Sequence, residues 1–317
     1  MTPAGRRLRG PLEIAATRIA CRRVPAWPRA KLLRRVDQIA TLGRFFSPGL
    51  RRIAAANLEL ALGATLPIAQ RDEILRRAFR QFALALLDTL WFSRDGAARL
   101  DEWFAWPAEV DAALPPGPQI LVTGHFGNWE LLGQMLARRG RSVMSVAMPL
   151  ANPTVDRLLL DIRRRSGQII VPRAGAVRQL LRQLRGGGKV ALLLDQNTKP
   201  DEGGVYVDFF GRPVPVSQAA AMLALQTGAP ILVGFCRMDE TGRYRPWVAG
   251  ELRPGADRAA ARDPAAVRAL TTRIAALTEQ AVRAHPADWL WMYKRWKYVP
   301  PGADRAAYPY YARGNGC

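Results

Sequence analysis

The stretch Gln119-Ile-Leu-Val-Thr-Gly-His-Phe-Gly-Asn-Trp-Glu130 passes from an apolar run into a polar turn, and the residues after it become helical. Gln119–Thr123 lies between Pro118 and Gly124, the mark of a short buried strand. From Trp129 to Arg138 the apolar residues recur at helical spacing. A strand, a tight turn and a helix in that order form the place where α/β proteins put their active sites. Within the turn, His125 and Glu130 are five residues apart. On a continuous helix that spacing leaves two side chains about 140° apart. They can face each other only if the chain bends between them, and Gly127 permits a bend.

Outward from this unit the same grammar repeats. Ser142–Ala147, Gln168–Val171, Lys189–Leu194 and Ile231–Phe235 read as strands. Between them, Val155–Arg165, Ala174–Leu184 and Ser217–Gln226 read as helices, and a last helix covers about Pro264–Ala284. Strands alternating with helices predict an α/β fold, a mostly parallel central sheet flanked by helices. Upstream, Ile53–Trp91 is helical and broken near Gly63 and Pro67. The expected organisation is an N-terminal basic helical extension over residues 1–105, packed on an α/β domain over residues 106–317. No internal repeat is visible.

The 317 residues are 49% hydrophobic and 23% charged, which excludes a disordered chain. Lys+Arg number 47 against 26 Asp+Glu, a net charge of +21 that favours acidic partners such as nucleic acid, anionic lipid or an acidic carrier protein. The excess is mostly Arg in an Ala- and Arg-rich chain, a pattern that biased coding also produces. Cys21, Cys236 and Cys317 are too few and too scattered for a disulfide framework or a cysteine zinc site. With only His125 and His285, a multi-histidine metal site is excluded as well, so no metal and no cofactor are expected.

Residues 1–52 hold thirteen Lys/Arg against Glu13 and Asp37, half of the chain's net charge. Leu8, Leu12, Ile14 and Ile19, then Leu32, Leu33, Val36 and Ile39, fall between the charges at helical spacing, and Pro25 and Pro28 separate the two pieces. Such helices either lie in a membrane interface, with Trp27, Phe45 and Phe46 as anchors, or pack on the body of the protein. Arg18, Arg22 and Arg23 interrupt any signal-like apolar run. The longest uncharged stretch, Pro213–Cys236, holds three prolines and reads as a buried helix followed by a strand, so no ordinary spanning helix is visible. The tail Trp289-Leu-Trp-Met-Tyr-Lys-Arg-Trp-Lys297 reads either as an interfacial aromatic belt or as a core strand.

The His125–Glu130 arrangement suits a general base whose tautomer Glu130 fixes. A histidine merely satisfied in a strand-end turn is the other reading. With no Ser or Cys in the motif, the nucleophile would be a substrate hydroxyl attacking an activated acyl group directly. Gly186-Gly-Gly188 precedes a strand and lacks a following Gly-Lys-Ser/Thr, so it reads as a turn and not a phosphate loop. His285 before Pro286 reads as a helix-end residue.

His125-Phe-Gly-Asn-Trp-Glu130 resembles the motif of the bacterial lipid A late acyltransferases, the lauroyl/myristoyl branch of the glycerolipid acyltransferase superfamily. Further stretches match in order: Asn57-Leu58, Asn152-Pro153 with Asp156 and Arg163–Arg165, and Gly188 to Gln196 ending in Asp195-Gln196. Phe209–Gly211, Thr227–Pro230 and Trp289–Lys297 follow, so the similarity covers about residues 55–300. A Phe-Pro-Glu-Gly-Thr-like block, usual in the phospholipid-type branch, is missing.

The resemblance implies an O-acyltransferase with His125 as base and Glu130 as its partner. It implies substrate contacts from Asn128, Arg163, Arg165, Asp195, Gln196 and Arg237. It further implies an acyl-carrier-protein or acyl-CoA donor, and a lipid acceptor that is a lipid A precursor or related glycolipid. The anionic membrane surface is a third partner, at the cytoplasmic face of the bacterial inner membrane, with peripheral attachment because the segment where many members carry a spanning helix is interrupted by Arg. Another acceptor (a phospholipid, aminolipid or polyketide-like lipid) is the nearest alternative. A basic nucleic-acid- or membrane-binding protein without catalysis is the alternative of another class; the first of these lacks any zinc-finger, helix-turn-helix or RNP-type signature, so no nucleic acid is expected as a partner.

Overall fold

A computed structural model describes residues 3–141, 143–149 and 152–313; within it the side chains of residues 3–10 and 12 are not described, so Leu8, Leu12 and Cys317 fall outside the observations below. Six helices come first: α1 (Pro3–Arg23), α2 (Arg29–Phe46), α3 (Pro48–Leu62), α4 (Ile68–Trp91), α5 (Gly96–Trp103) and α6 (Ala108–Ala112). The alternating part follows as β1 (Gln119–Thr123), α7 (Trp129–Arg138), β2 (Val143–Ala147), α8 (Pro153–Arg165), β3 (Ile169–Pro172), α9 (Ala176–Arg185) and β4 (Lys189–Leu193). Then come β5 (Gly204–Phe209), β6 (Arg212–Ser217), α10 (Ala219–Thr227), β7 (Ile231–Met238), β8 (Tyr244–Leu252) and α11 (Pro264–Ala284).

The main sheet has six strands in the order β3-β2-β4-β1-β7-β8. All neighbours are parallel except the last pair, where β8 runs antiparallel to β7. This is the α/β fold expected from the alternating pattern. β1 sits between β4 and β7, and four of its five residues are buried, which is why its sequence is an unbroken apolar run.

Two features differ from the sequence reading. Residues 204–217 form a separate hairpin, β5–β6, so the stretch from Pro213 starts inside a strand and not a helix. Pro213 and Pro215 fall in a two-stranded ribbon, where a residue lacking an N–H is tolerated on the side without a partner. The helix begins only at Ala219, and β8 was not anticipated at all. The aromatic tail is neither an interfacial belt nor a regular strand. Trp289, Trp291 and Trp296 are buried in irregular backbone, packed against Phe209 and Phe210 of the hairpin.

The helical extension shares one continuous apolar core with the sheet. Its tightest tie is polar. The Arg29 guanidinium grips the Asp88 carboxylate, with Nη2 donating to Oδ2 at 3.1 Å, and Tyr244 of β8 donates its hydroxyl to the same carboxylate. Trp91 and Trp103 lie under the guanidinium, 4.9 and 5.4 Å from it. Asn57 of α3 donates to the carbonyls of Trp291 and Tyr293, both at 2.7 Å, so α3 carries the C-terminal block. Trp27 is half-buried against the core, and its carbonyl accepts from Trp91 Nε1 at 2.8 Å. Among the described residues, no helix is long and apolar enough to cross a membrane.

Candidate active site

β1 and β4 are neighbours in parallel register, with Thr123 opposite Leu193. Two residues beyond each of these positions stand His125 and Asp195, so sheet register alone sets the two side chains against each other at the carboxyl ends of the strands. His125 Nδ1 lies 2.8 Å from Asp195 Oδ1. The His125 backbone N–H donates to Asp195 Oδ2 at 2.7 Å, and Trp289 Nε1 donates to that same oxygen at 3.0 Å. Gly124 allows this closeness, since a Cβ there would come within 3.0 Å of the Asp195 carboxyl.

The environment fixes the charge of both partners. Burial alone would hold the His125 imidazolium below the ordinary histidine value, but the Asp195 carboxylate outweighs it and the net effect is upward. Burial likewise pushes the Asp195 carboxyl up, while His125 and, more weakly, Arg295 pull it below the usual carboxylate range. With Nδ1–H given to Asp195, the Nε2 lone pair is on the far side of the ring. The Nε2 of the exposed Gln196 amide is 3.4 Å from that ring nitrogen.

Glu130 does not touch the imidazole, and the expectation that it fixes the His125 tautomer is corrected here. Gly127 does make the bend, at φ +53°, and donates its N–H to the Asp288 carbonyl at 2.8 Å. A Cβ at Gly127 would sit 1.9 Å from the Cys236 carbonyl oxygen, so only glycine fits. Asn128 then caps α7, accepting from the Leu131 N–H at 3.1 Å. The bend turns Glu130 toward α8, where its oxygens accept from Arg163 Nε at 2.9 Å and Nη2 at 2.5 Å. Trp129 joins the two groups: its ring lies 4.9 Å from that of His125, and its Nε1 donates to Glu130 Oε1 at 3.1 Å.

The strand ends thus bring together His125, Asp195 and Gln196, with the Glu130–Arg163 pair beside them. The other expected substrate contacts are not gathered there. Asn128 is wholly buried as a helix cap and has no surface to offer a substrate. Arg237 turns to His285, whose Nδ1 is 3.0 Å from its Nη1, and to Asp288. Arg165 is exposed on the last turn of α8, and Arg163 alone of that block reaches Glu130. Trp289 was overlooked as a site residue; the only signal was its place in an aromatic, basic tail.

An imidazole oriented by a buried carboxylate, with the Glu130–Arg163 pair beside it, stands at the carboxyl edge of an α/β sheet, where such folds place their sites. Residues 13–298 match the family described as bacterial lipid A biosynthesis acyltransferase, and the chain belongs to that family. It is 31% identical over 205 residues to the phosphatidylinositol mannoside acyltransferase of Mycobacterium tuberculosis (strain ATCC 25618 / H37Rv), covering 63% of this chain and 61% of that protein. The chain therefore spans about three fifths of the length of these mycobacterial relatives. It is 25% identical over 274 residues to the lipid A biosynthesis palmitoleoyltransferase of Escherichia coli (strain K12), covering 84% of each.

Proposed function

We propose that the protein is an O-acyltransferase that moves a fatty acyl chain from a carrier-protein or CoA thioester to a hydroxyl of a glycolipid. The observation that carries this reading is His125 Nδ1 held 2.8 Å from the buried Asp195 carboxylate, which leaves Nε2 to the side of the exposed Gln196 amide. His125 Nε2 takes the proton of the acceptor hydroxyl as its oxygen adds to the thioester carbonyl. The new C–O bond pushes the carbonyl π pair onto oxygen. Its return breaks the C–S bond, and the imidazolium gives its proton to the leaving sulfur. Asp195 stabilises the imidazolium that exists between those steps. We assign to Arg163, held by Glu130, the cation that steadies the developing oxyanion.

Relatives named for lipid A biosynthesis and for phosphatidylinositol mannoside acylation support a sugar-bearing lipid acceptor. A lipid A precursor is the first choice and a mannosylated phospholipid the second. The acceptor lies in a membrane, and the elbow between α2 and α3 suits attachment to one. Phe45 and Phe46 are 71% and 73% exposed there, with Ile39, Leu42 and Leu50 beside them. Residues 38–52 contain Arg44, Arg51 and Arg52 and no acid, which matches an anionic lipid surface. We place the protein peripherally on such a membrane, at the cytoplasmic face of the bacterial inner membrane.

The test is transfer by purified protein from acyl-CoA or acyl-carrier protein to lipid A precursor and to phosphatidylinositol mannoside, followed by lipid mass spectrometry. Wild type should acylate one acceptor class and His125→Ala neither. Equal transfer by His125→Ala, or none by wild type with any donor and acceptor, removes the reading.

A further inference from the structure

The segment after Asp195 leads away from the catalytic histidine and is stapled to the C-terminal block. Asn197 takes part in three bonds. Its N–H donates to Tyr293 Oη at 3.1 Å, its Nδ2 donates to the Lys294 carbonyl at 3.0 Å, and its Oδ1 accepts from Arg295 Nη1 at 3.2 Å. Two residues further on, the Lys199 ammonium lies over the half-buried Tyr298 ring, 5.6 Å from its centroid. The Lys297 ammonium lies over the same ring at 5.0 Å. Lys294 is exposed close by in the chain.

This gathering of positive charge has no counterion among the described residues. Neither Lys199 nor Lys297 has a carboxylate within ion-pair distance, and Glu202, the acid three residues past Lys199, is engaged with Arg173 at 2.8 Å. The Arg295 guanidinium, next to Lys294 in the chain, is buried, is in no ion pair among the described residues, and has an Nε without a partner. Its cation is disfavoured by burial, which lowers its pKa to about 10, yet it remains charged at neutral pH. Composition sharpens the point. The chain uses 42 arginines and only five lysines, and three of the five are Lys199, Lys294 and Lys297. An ammonium is a compact, freely rotating point charge with three donors, suited to a phosphate that arrives in no fixed orientation.

We propose that Lys199 and Lys297, braced on Tyr298, form a phosphate-binding site beside the acyl-transfer centre, filled by a phosphate group of one of the two substrates. The site rests on the acyl-transfer reading for its purpose but not for its chemistry. Gln196, whose amide lies against His125 Nε2, is three residues from Lys199, at most about 11 Å of chain. A phosphate on a flexible arm would be held there while its distant thioester or hydroxyl reaches His125. Two sources carry such a group: the phosphates of a CoA-type donor and the phosphodiester of a lipid headgroup.

Calorimetric titrations at low salt would separate them, using CoA, pantetheine (the same thiol arm without phosphate) and glycerophosphoinositol as probes. If the donor fills the site, Lys199→Gln/Lys297→Gln should bind CoA about tenfold more weakly and pantetheine unchanged. If the acceptor fills it, the loss should appear with glycerophosphoinositol alone. Lys199→Arg/Lys297→Arg should retain most of the binding. Arg178→Gln/Arg182→Gln, which removes the same charge from the exposed face of α9, should leave both affinities within about twofold. Unchanged binding of both phosphorylated probes in the folded glutamine variant, or an equal loss in the α9 variant, overturns the proposal. His125→Ala should bind as wild type does; if it also transfers acyl groups, the catalytic reading falls while the phosphate site stands.

Discussion

Asp195 and Glu130 are two carboxylates near one strand end, and their surroundings set them to different work. Asp195 is buried, holds Nδ1 of His125 and raises that imidazole's proton affinity; Glu130 is spent on Arg163. In the proposed mechanism His125 must be neutral, so the rate should fall as pH drops through a histidine value raised above the ordinary one. Asp195→Asn removes the charge that raises it. Turnover should fall about a hundred- to ten-thousandfold, and the acid limb of the pH–rate profile should move to lower pH. A limb that stays in place would show that Asp195 does not set the imidazole's charge. Glu130→Gln should move the limb slightly down as well and Arg163→Met slightly up, since the first group favours the imidazolium and the second opposes it. The turn after a buried strand that holds His125 was legible in sequence. The partner of His125 was not, because β4 follows β1 only after two other strands and yet pairs beside it.

Among the elements, α4 bears the most consequential polar contact outside the site. Asp88 is fully buried, and its carboxylate is shared between Arg29 of α2 and Tyr244 of β8. Asp88→Asn would leave the Arg29 charge in the core without its counterion. The expected cost is about 3–5 kcal/mol of stability, seen as a lower denaturant midpoint with an unchanged slope. A replacement costing less than about 1 kcal/mol would mean that water reaches the pair. At this scale the sequence was informative wherever strands alternate with helices, because periodicity reports burial directly. It was uninformative for β5, β6 and β8. The prolines of β6 masked its period of two, and in the outer strand β8 the short run Trp247–Ala249 is half-exposed and bounded by Pro246 and Gly250, which read as turn residues. The tail was ambiguous because Trp289, Trp291 and Trp296 are buried by irregular backbone that no periodicity describes.

For the whole molecule, net charge and exposed apolar surface act together. The charge of +21 should draw the protein to anionic bilayers, and the Phe45–Phe46 elbow should hold it there. Phe45→Ser/Phe46→Ser should weaken sedimentation with anionic vesicles by at least about tenfold, since burying one such ring contributes about 1.5–3 kcal/mol. Raising salt should weaken wild-type binding too, because exposed charges are screened within about 10 Å at 0.1 M. Salt-insensitive binding, or none to anionic vesicles, would count against this surface. The charge bias of residues 1–52 pointed here, but which aromatic residues stay outside was settled by packing: Trp27 turned inward and the two phenylalanines did not. The tie between Trp289 and Asp195 has a further consequence, for the order in which the protein is made. A chain emerging from the ribosome carries its histidine and aspartate well before the indole that steadies them, and Leu290, whose N–H secures the His125 carbonyl, comes later still. The candidate site therefore stays unfinished on the growing polypeptide while the more than ninety residues between Asp195 and Trp289 are added.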